Sequence, residues 1–524
     1  MTITSVEITG KTLTIEEVVA VAQNRATVKP LSRETRKRME DSHQWLNNAI
    51  HQKKQVFYGI NTGFGSHANE VIDSDQASQL SRNVILADVT GVGKPLPQEI
   101  VRAMMLIRAN TISSGHSAVR PAVVEQFIAM LNKNVVPHVP EKGSLGASGD
   151  LVPLAHIAVV ATCDADGGGY SGKAWYDGEL LSGEEAMKKA GIPRLVLIFK
   201  EGLSMINGTS FMTAAGCLAI NKCEKLVEHA DIAAAMSLEA FTAVSYAFHQ
   251  DLHAASNQTG QINTAARLRA LIQGSELIDS VERVQDAYSL RCIPQIIGPV
   301  KDTIAFARQY IENTLNASID NPLIFPTEKS FHSISGGSFH GEGLAFMMDF
   351  LSITMSEVAN VSDRRSFALP TPGLNNGLPS MLIKSNGINT GLMVAQYAGA
   401  SLVSDNKTLA HPDSVDSIPT SANQEDHVSM GANGARHLLE IIDNVTNVVA
   451  IELLCATQAI DLRENGKEKL GIGANVAYQV IREKVQMYQN DHEMAPDIET
   501  LVKLINSEAM INKVNQKLKT GENQ

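Results

Sequence analysis

The sequence predicts a mainly α protein, with long helices forming a central bundle and a small, loop-rich N-terminal region. Three observations carry that reading. Apolar residues make up 44% of the chain and aromatic residues only 5%, so the core is built from Leu, Ile, Val, Ala and Met. The stretches from Glu201 to Phe248 and from Leu438 to Val449 are apolar and hold few prolines or glycines to stop a helix. Glycine-rich, irregular pieces punctuate them at 143–150, 336–343, 371–379 and 411–427. A length of 524 residues exceeds one ordinary hydrophobic core and implies about two to four units or one large helical assembly.

Val6 to Ile8 reads as a short strand and Gly10-Lys11 as a turn. Thr14 is placed to cap a helix, with Glu17 completing a capping box ahead of Val18, Val19 and Val21. A second helix begins near Ser32 and runs through Arg36 to Asp41. The segment Tyr58-Gly59-Ile60-Asn61-Thr62-Gly63-Phe64-Gly65-Ser66 is too glycine-rich for a helix interior and too apolar for a linker, which suits an ordered loop at a site. From about Pro97 helix dominates, and Val101, Met104, Met105 and Arg108 alternate faces at helical spacing. The polar stretch from Gly167 to Gly178 suits a hairpin. Leu438, Ile441, Ile442, Val445, Val448 and Val449 follow a helical apolar stripe, with Glu440, Asp443 and Asn447 opposite. The expected division is an N-terminal region at 1–200, a central long-helix domain at 201–460 and a C-terminal helical extension at 461–524.

Lys and Arg total 44 against 56 Asp and Glu, a net charge of −12, which argues against nonspecific binding to nucleic acid or an anionic membrane. The five cysteines lie far apart without a CxxC pair, so neither a zinc site nor a disulfide framework is indicated. The first residues lack a basic segment leading into a long apolar run, and no uninterrupted apolar stretch has membrane-spanning length. A cytoplasmic setting is expected.

The most informative segment is Gly143-Ser144-Leu145-Gly146-Ala147-Ser148-Gly149-Asp150. It lacks the Gly-Lys-Ser/Thr of a phosphate loop and the spacing of a dinucleotide fingerprint. Alone it also fits a plain glycine turn before a helix. A sharper possibility is that a tight turn brings the Gly149 nitrogen onto the Ala147 carbonyl carbon and closes a five-membered ring. Gly149 has no Cβ to obstruct that approach. Loss of two waters, one of them from Ser148, leaves a methylidene-imidazolone whose exocyclic methylene is an electrophile no ordinary side chain supplies.

This segment and the Tyr58 loop resemble the histidine ammonia-lyase branch of the aromatic ammonia-lyase and aminomutase family. So do Asn207-Gly208-Thr209, Gln285 to Cys292, Asn321-Pro322-Leu323, Phe339-His340-Gly341-Glu342 and Ser421 to His427, in the family's order. The resemblance runs from about residue 5 to beyond Arg463. It implies the ammonia-lyase (fumarase/aspartase-like) bundle and a ring made autocatalytically from Ala147, Ser148 and Gly149, with no dissociable cofactor and no metal. It further implies a homotetramer whose active sites are shared between subunits, acting on a small-molecule amino acid.

The resemblance also implies residue roles. Tyr58 is the base that takes the β-proton; because a free tyrosine has a pKa of about 10, the site must lower it with positive potential. Asn207 and Tyr288 contact the ring and assist amine addition and departure. Arg291 clamps the substrate carboxylate with its planar donor fork. Gln285 and Phe339 line the pocket, Gly65 and Asn321 support it, and Gln424 and Glu425 close over the side-chain end of the substrate.

Two positions bear on the substrate. Glu425 stands where lyases for phenylalanine or tyrosine typically carry Gln, and a carboxylate there suits an imidazole N–H. Asp88, in Ala87-Asp88-Val89-Thr90-Gly91-Val92-Gly93, replaces the branch's histidine with a group that only accepts when ionised. The expected reaction is loss of ammonia from L-histidine or a related aromatic amino acid, giving the α,β-unsaturated acid. The alternative is a 2,3-aminomutase that retains the product until ammonia returns at Cβ. A serine hydrolase built on Ser148, Asp150 and His156 lacks the Gly-x-Ser-x-Gly elbow. A metal site from His411, Asp413, Asp416 and His427 is only a weak pattern.

Overall fold

A computed structural model describes the chain except residues 1–2, 52–54, 58, 64–69, 74–75, 328–329, 385–386 and 522–524. It is mainly α-helical. The helices Ser210–Ala240, Glu342–Ala368 and Gly431–Leu462 form the long central bundle, while the strands make only small two- and three-stranded sheets.

The N-terminal readings hold closely. Thr14 caps the helix Ile15–Ala22, and its hydroxyl and the Glu17 carboxylate form the reciprocal capping box. The Ser32 hydroxyl accepts from the Thr35 amide at 3.2 Å at the head of the helix Arg33–His51. The first strand is Ser5–Val6, shifted from Val6–Ile8, because its parallel partner is only Thr27–Val28. The hairpin joins Lys173–Tyr176 to Glu179–Ser182, later than expected. Its turn residues Asp177 and Gly178 have φ of 47° and 80°, the paired positive values of a two-residue hairpin turn.

One helix departs from its expected pattern. Gln98–Ser113 is buried on every side from Ile100 to Ser113, so its faces do not alternate between core and solvent. Its charged residues are satisfied internally: Arg102 Nε donates to the Val21 carbonyl at 3.0 Å, and Arg108 Nη1 to the Ile319 carbonyl at 2.7 Å. The apolar stretch from Glu201 is likewise divided, into Glu201–Ile206 and Ser210–Ala240, by the turn at Asn207 and Gly208. In Gly431–Leu462 the six stripe residues from Leu438 to Val449 are all buried, with Glu440 and Asp443 exposed.

The chain divides into two compact units, one of residues 1–221, 308–349 and 412–436, the other of residues 222–307, 350–411 and 437–524. In the first, the helix Ala77–Asp88 packs on Leu151–Ala161 and on Glu201–Ile206. In the second, the buried Glu452 carboxylate ties three helices by accepting from Arg365 Nη2 at 2.8 Å and from the Ser237 hydroxyl at 2.7 Å. The helix Glu342–Ala368 is long and apolar enough to cross a membrane by length and composition. However, 61% of its most apolar window is buried in the protein, the pattern of a core helix.

Candidate active site

The loop 143–150 is locked by glycines and by three remote segments. Gly149 has φ +69°, and a Cβ there would collide with the Gly208 backbone. Gly149 bridges to Gly146, Ala147 and Gly208, which folds residues 147 and 149 back on one another. The Asp150 amide donates to the Gly208 carbonyl at 2.8 Å, and the Met430 amide to the Leu145 carbonyl at 2.8 Å. The Gly341 amide reaches the Gly146 carbonyl at 3.2 Å.

Asp150 anchors this arrangement. It is fully buried, and its Oδ2 accepts from the amides of Phe211 and Met212 at 2.9 and 3.0 Å, at the start of the long helix Ser210–Ala240. The Ser144 hydroxyl donates to Oδ1 at 3.0 Å. Burial pushes the Asp150 carboxyl up to about 7, although all three hydrogen bonds oppose that shift. The carboxylate also favours the helix N-terminus electrostatically.

Because Gly149 needs both a left-handed backbone and empty space, Gly149→Ala is expected to lower stability by about 1–3 kcal/mol and to prevent cyclisation. Urea denaturation and an intact mass that retains both waters would check this. An alanine variant that still loses two waters would contradict it.

The loop forms one wall of a cavity of about 1060 Å³ within the first unit. Ala147, Ser148 and Asn207 line one part of it, and Asn321 and Phe339 another. Asp88 ends the helix Ala77–Asp88 and also lines the cavity, as do Gln424 and Glu425. Asn207 is buried, and its Oδ1 has no hydrogen-bond partner among the described residues. Glu425 Oε2 is likewise buried with no hydrogen-bond partner among the described residues. Asn321 is held in place: its Oδ1 accepts from the Gly336 amide at 2.8 Å and its Nδ2 donates to the Ser335 hydroxyl at 3.1 Å. The loop before Glu425 is strained, with Ser421, Ala422 and Asn423 all at positive φ.

Gln285, Tyr288 and Arg291 belong to the second unit and are not among the cavity-lining residues. There the Arg291 guanidinium lies 4.6 Å from the centre of the exposed Tyr288 ring. Tyr58 and Gly65 lie outside the described residues. Sequence reasoning missed several wall residues. Leu80, Asn83, Val84 and Ala87 line the cavity at i, i+3, i+4 and i+7, so a helical stripe leading to Asp88 was the available signal. His340 and His427 also line it, with their rings stacked at 5.3 Å. Among the described residues, the metal-compatible set is His340, Glu342 and His427 rather than the weak pattern around His411.

Long helices carrying a glycine-locked Ala-Ser-Gly loop at the wall of a carboxylate-bearing cavity define a protein of the ammonia-lyase class. The sequence profile of the aromatic amino acid lyase family matches residues 13–483. A histidine ammonia-lyase from Treponema denticola is 46% identical over 515 residues, covering 98% of this chain and 99% of its own. The crystal structure of histidine ammonia-lyase from Trypanosoma cruzi is 35% identical, with a TM-score of 0.89 and coverage of 98% of this chain and 95% of its own. Tyrosine aminomutase from Streptomyces globisporus is similar too, at 33% identity and TM-score 0.91, over 98% of this chain and 99% of its own. The chain belongs to the aromatic amino acid lyase family. It is a carbon–nitrogen lyase that removes ammonia from an aromatic amino acid, and membership implies an autocatalytic methylidene-imidazolone.

Proposed function

We propose that the protein deaminates L-histidine or a close imidazole-bearing relative, using a methylidene-imidazolone formed from Ala147, Ser148 and Gly149. The observation that carries the substrate is the Glu425 carboxylate oxygen, which has no partner among the described residues, in the cavity that Ala147 and Ser148 line. A buried acceptor of that kind is costly unless a ligand N–H meets it. The residues fit the ring as well, since the space a Gly149 side chain would need is filled by the Gly208 backbone. When formed, the ring supplies an electrophilic methylene toward the substrate nitrogen.

The chain's own groups do the rest. Asn207 Oδ1 accepts a hydrogen bond from the substrate amine and steers it toward position 148. Phe339, Leu80 and Val84 give the aromatic side chain an apolar surface. Asn321, fixed by Ser335 and Gly336, braces that surface. Tyr58 takes the β-proton, and Arg291 receives the carboxylate, with Gln285 and Tyr288 beside the reacting amine. In this reading the last three come from other subunits of a homotetramer. The second unit supports such assembly by exposing Phe306, Phe350, Ile353 and Tyr397. A reducing, cytoplasmic setting goes with five free cysteines. The functional division remains 1–200 for the base and ring loops, 201–460 for the long helices and 461–524 for the extension.

The test is incubation with a panel of aromatic amino acids, reading olefinic and β-amino products together. Urocanate from histidine is expected. Turnover of phenylalanine or tyrosine without histidine would reject the substrate reading. The likeness to a tyrosine aminomutase supports a second reading, 2,3-amino migration, which a β-amino acid product would establish.

A further inference from the structure

The cavity wall carries an imbalance of charge. Asp88, Glu425 and Asp426 all line it, and no Lys or Arg is among the described lining residues. Each carboxylate accepts hydrogen bonds when ionised and donates none. A neutral imidazole has one donor nitrogen and one acceptor nitrogen, so it can satisfy one carboxylate only. A ring protonated on both nitrogens offers two donors and a positive charge.

We infer that Asp88 and Glu425 select the substrate ring in its cationic, doubly protonated form, so that binding at alkaline pH takes up a proton from water. This rests on the imidazole reading above and adds the ionisation state that the site recognises. Asp88 makes no side-chain hydrogen bond among the described residues, and burial alone pushes its carboxyl up to about 6. A ring cation placed against it removes the cost of that buried charge.

The groups around Asp88 leave the role to the substrate. On its own helix, Arg82 is committed to Asp164 at 2.9 Å and to the Thr162 hydroxyl at 2.8 Å. On Leu151–Ala161, His156 Nε2 accepts from the Gly91 amide at 3.1 Å, and burial pushes its pKa down to about 4, which keeps it neutral. On Glu201–Ile206, Glu201 is paired with Arg120 at 2.6 Å, while the preceding Lys200 is paired with Asp320 at 2.7 Å. Also lining the cavity, His340 has an Nδ1 that accepts from the Glu342 amide at 3.3 Å and an Nε2 that lies 3.2 Å from the His427 carbonyl. No described cation therefore balances Asp88. Above a ring pKa of about 6.5, free histidine is neutral. The bound ring and Asp88 then hold one proton more than the two do apart.

Calorimetric titration of the full-length protein with 3-(imidazol-4-yl)propanoate tests this, because that ligand keeps the ring and carboxylate but has no amine to expel. At pH 8.5, in buffers of different ionisation enthalpy, uptake approaching one proton per site is expected. None is expected with 3-phenylpropanoate. Asp88→Asn supplies a donor to a neutral ring, so uptake should vanish in that variant. The ratio of wild-type to Asp88→Asn kcat/KM for L-histidine should fall about tenfold per pH unit above the ring pKa. This ratio cancels the titration of the catalytic base. Binding of the imidazole ligand without proton uptake, or equal uptake with the phenyl ligand, would overturn the inference and leave histidine as substrate. Turnover of phenylalanine in place of histidine would overturn both.

Discussion

Ser148→Ala is expected to abolish deamination, with kcat/KM falling by at least about 10³-fold, while the fold persists. In the proposed reading, Ser148 is the residue whose dehydrated side chain becomes the electrophilic methylene, and alanine has no hydroxyl to lose. The loop itself does not depend on that hydroxyl. Its clamps are the Leu145, Gly146 and Asp150 backbone groups and the Asp150 carboxylate, all of which the variant keeps. Intact mass should show wild type lighter by two waters than its sequence requires, and the variant without that loss. Unchanged thermal unfolding would separate lost chemistry from lost structure. A variant that turned over substrate at the wild-type rate would remove the ring from the mechanism.

Asp320→Asn should cost about 3–5 kcal/mol of stability at neutral pH. Asp320 is buried in the first unit between two cations: its Oδ2 accepts from Lys200 Nζ at 2.7 Å and lies 4.0 Å from Arg108 Nη2. Ser204 Oγ donates to the same oxygen at 2.8 Å. Asparagine keeps part of the hydrogen bonding and none of the charge, so Lys200 and Arg108 are left buried and uncompensated. Burial already lowers the Lys200 pKa, and Asp320 opposes that shift, so losing Asp320 lowers it further. Unfolded Lys200 retains an ordinary value of about 10.4 and binds more protons than the folded state. Stability of the variant therefore rises as pH rises toward that value. Urea denaturation at pH 7 and pH 9.5 should show the deficit shrinking, whereas an equal loss at both would exclude a charge origin. Activity should fall as well, because Asp320 Oδ1 also accepts from the Asn321 amide at 2.7 Å and so sets the position of a cavity residue.

Local features were readable where they depend on neighbours a few residues away. The Thr14–Glu17 capping box joins residues three apart, and the stripe from Leu438 to Val449 repeats at helical period. Gln98–Ser113 is the helix its spacing predicts, but its enclosure on all sides, Arg102 and Arg108 included, is a property of what surrounds it and not of its own sequence. The Ala-Ser-Gly motif could be recognised, yet its locking partners Gly208, Gly341 and Met430 lie tens to hundreds of residues away. Asp88 stood out only as a departure from a related pattern. That it shares a cavity with Glu425, with no Lys or Arg among the described lining residues, is a tertiary fact.

By itself the sequence determined the helical class, the principal caps and turns, and the Ala147-Ser148-Gly149 motif from which ring formation is proposed. Tertiary structure alone decided which distant side chains share a wall, and which charges lie buried together. The reason is one of range. Helix periodicity and capping act within about one turn of chain, whereas a cavity forms only when packing has closed long loops and excluded water from groups that the chain order keeps apart.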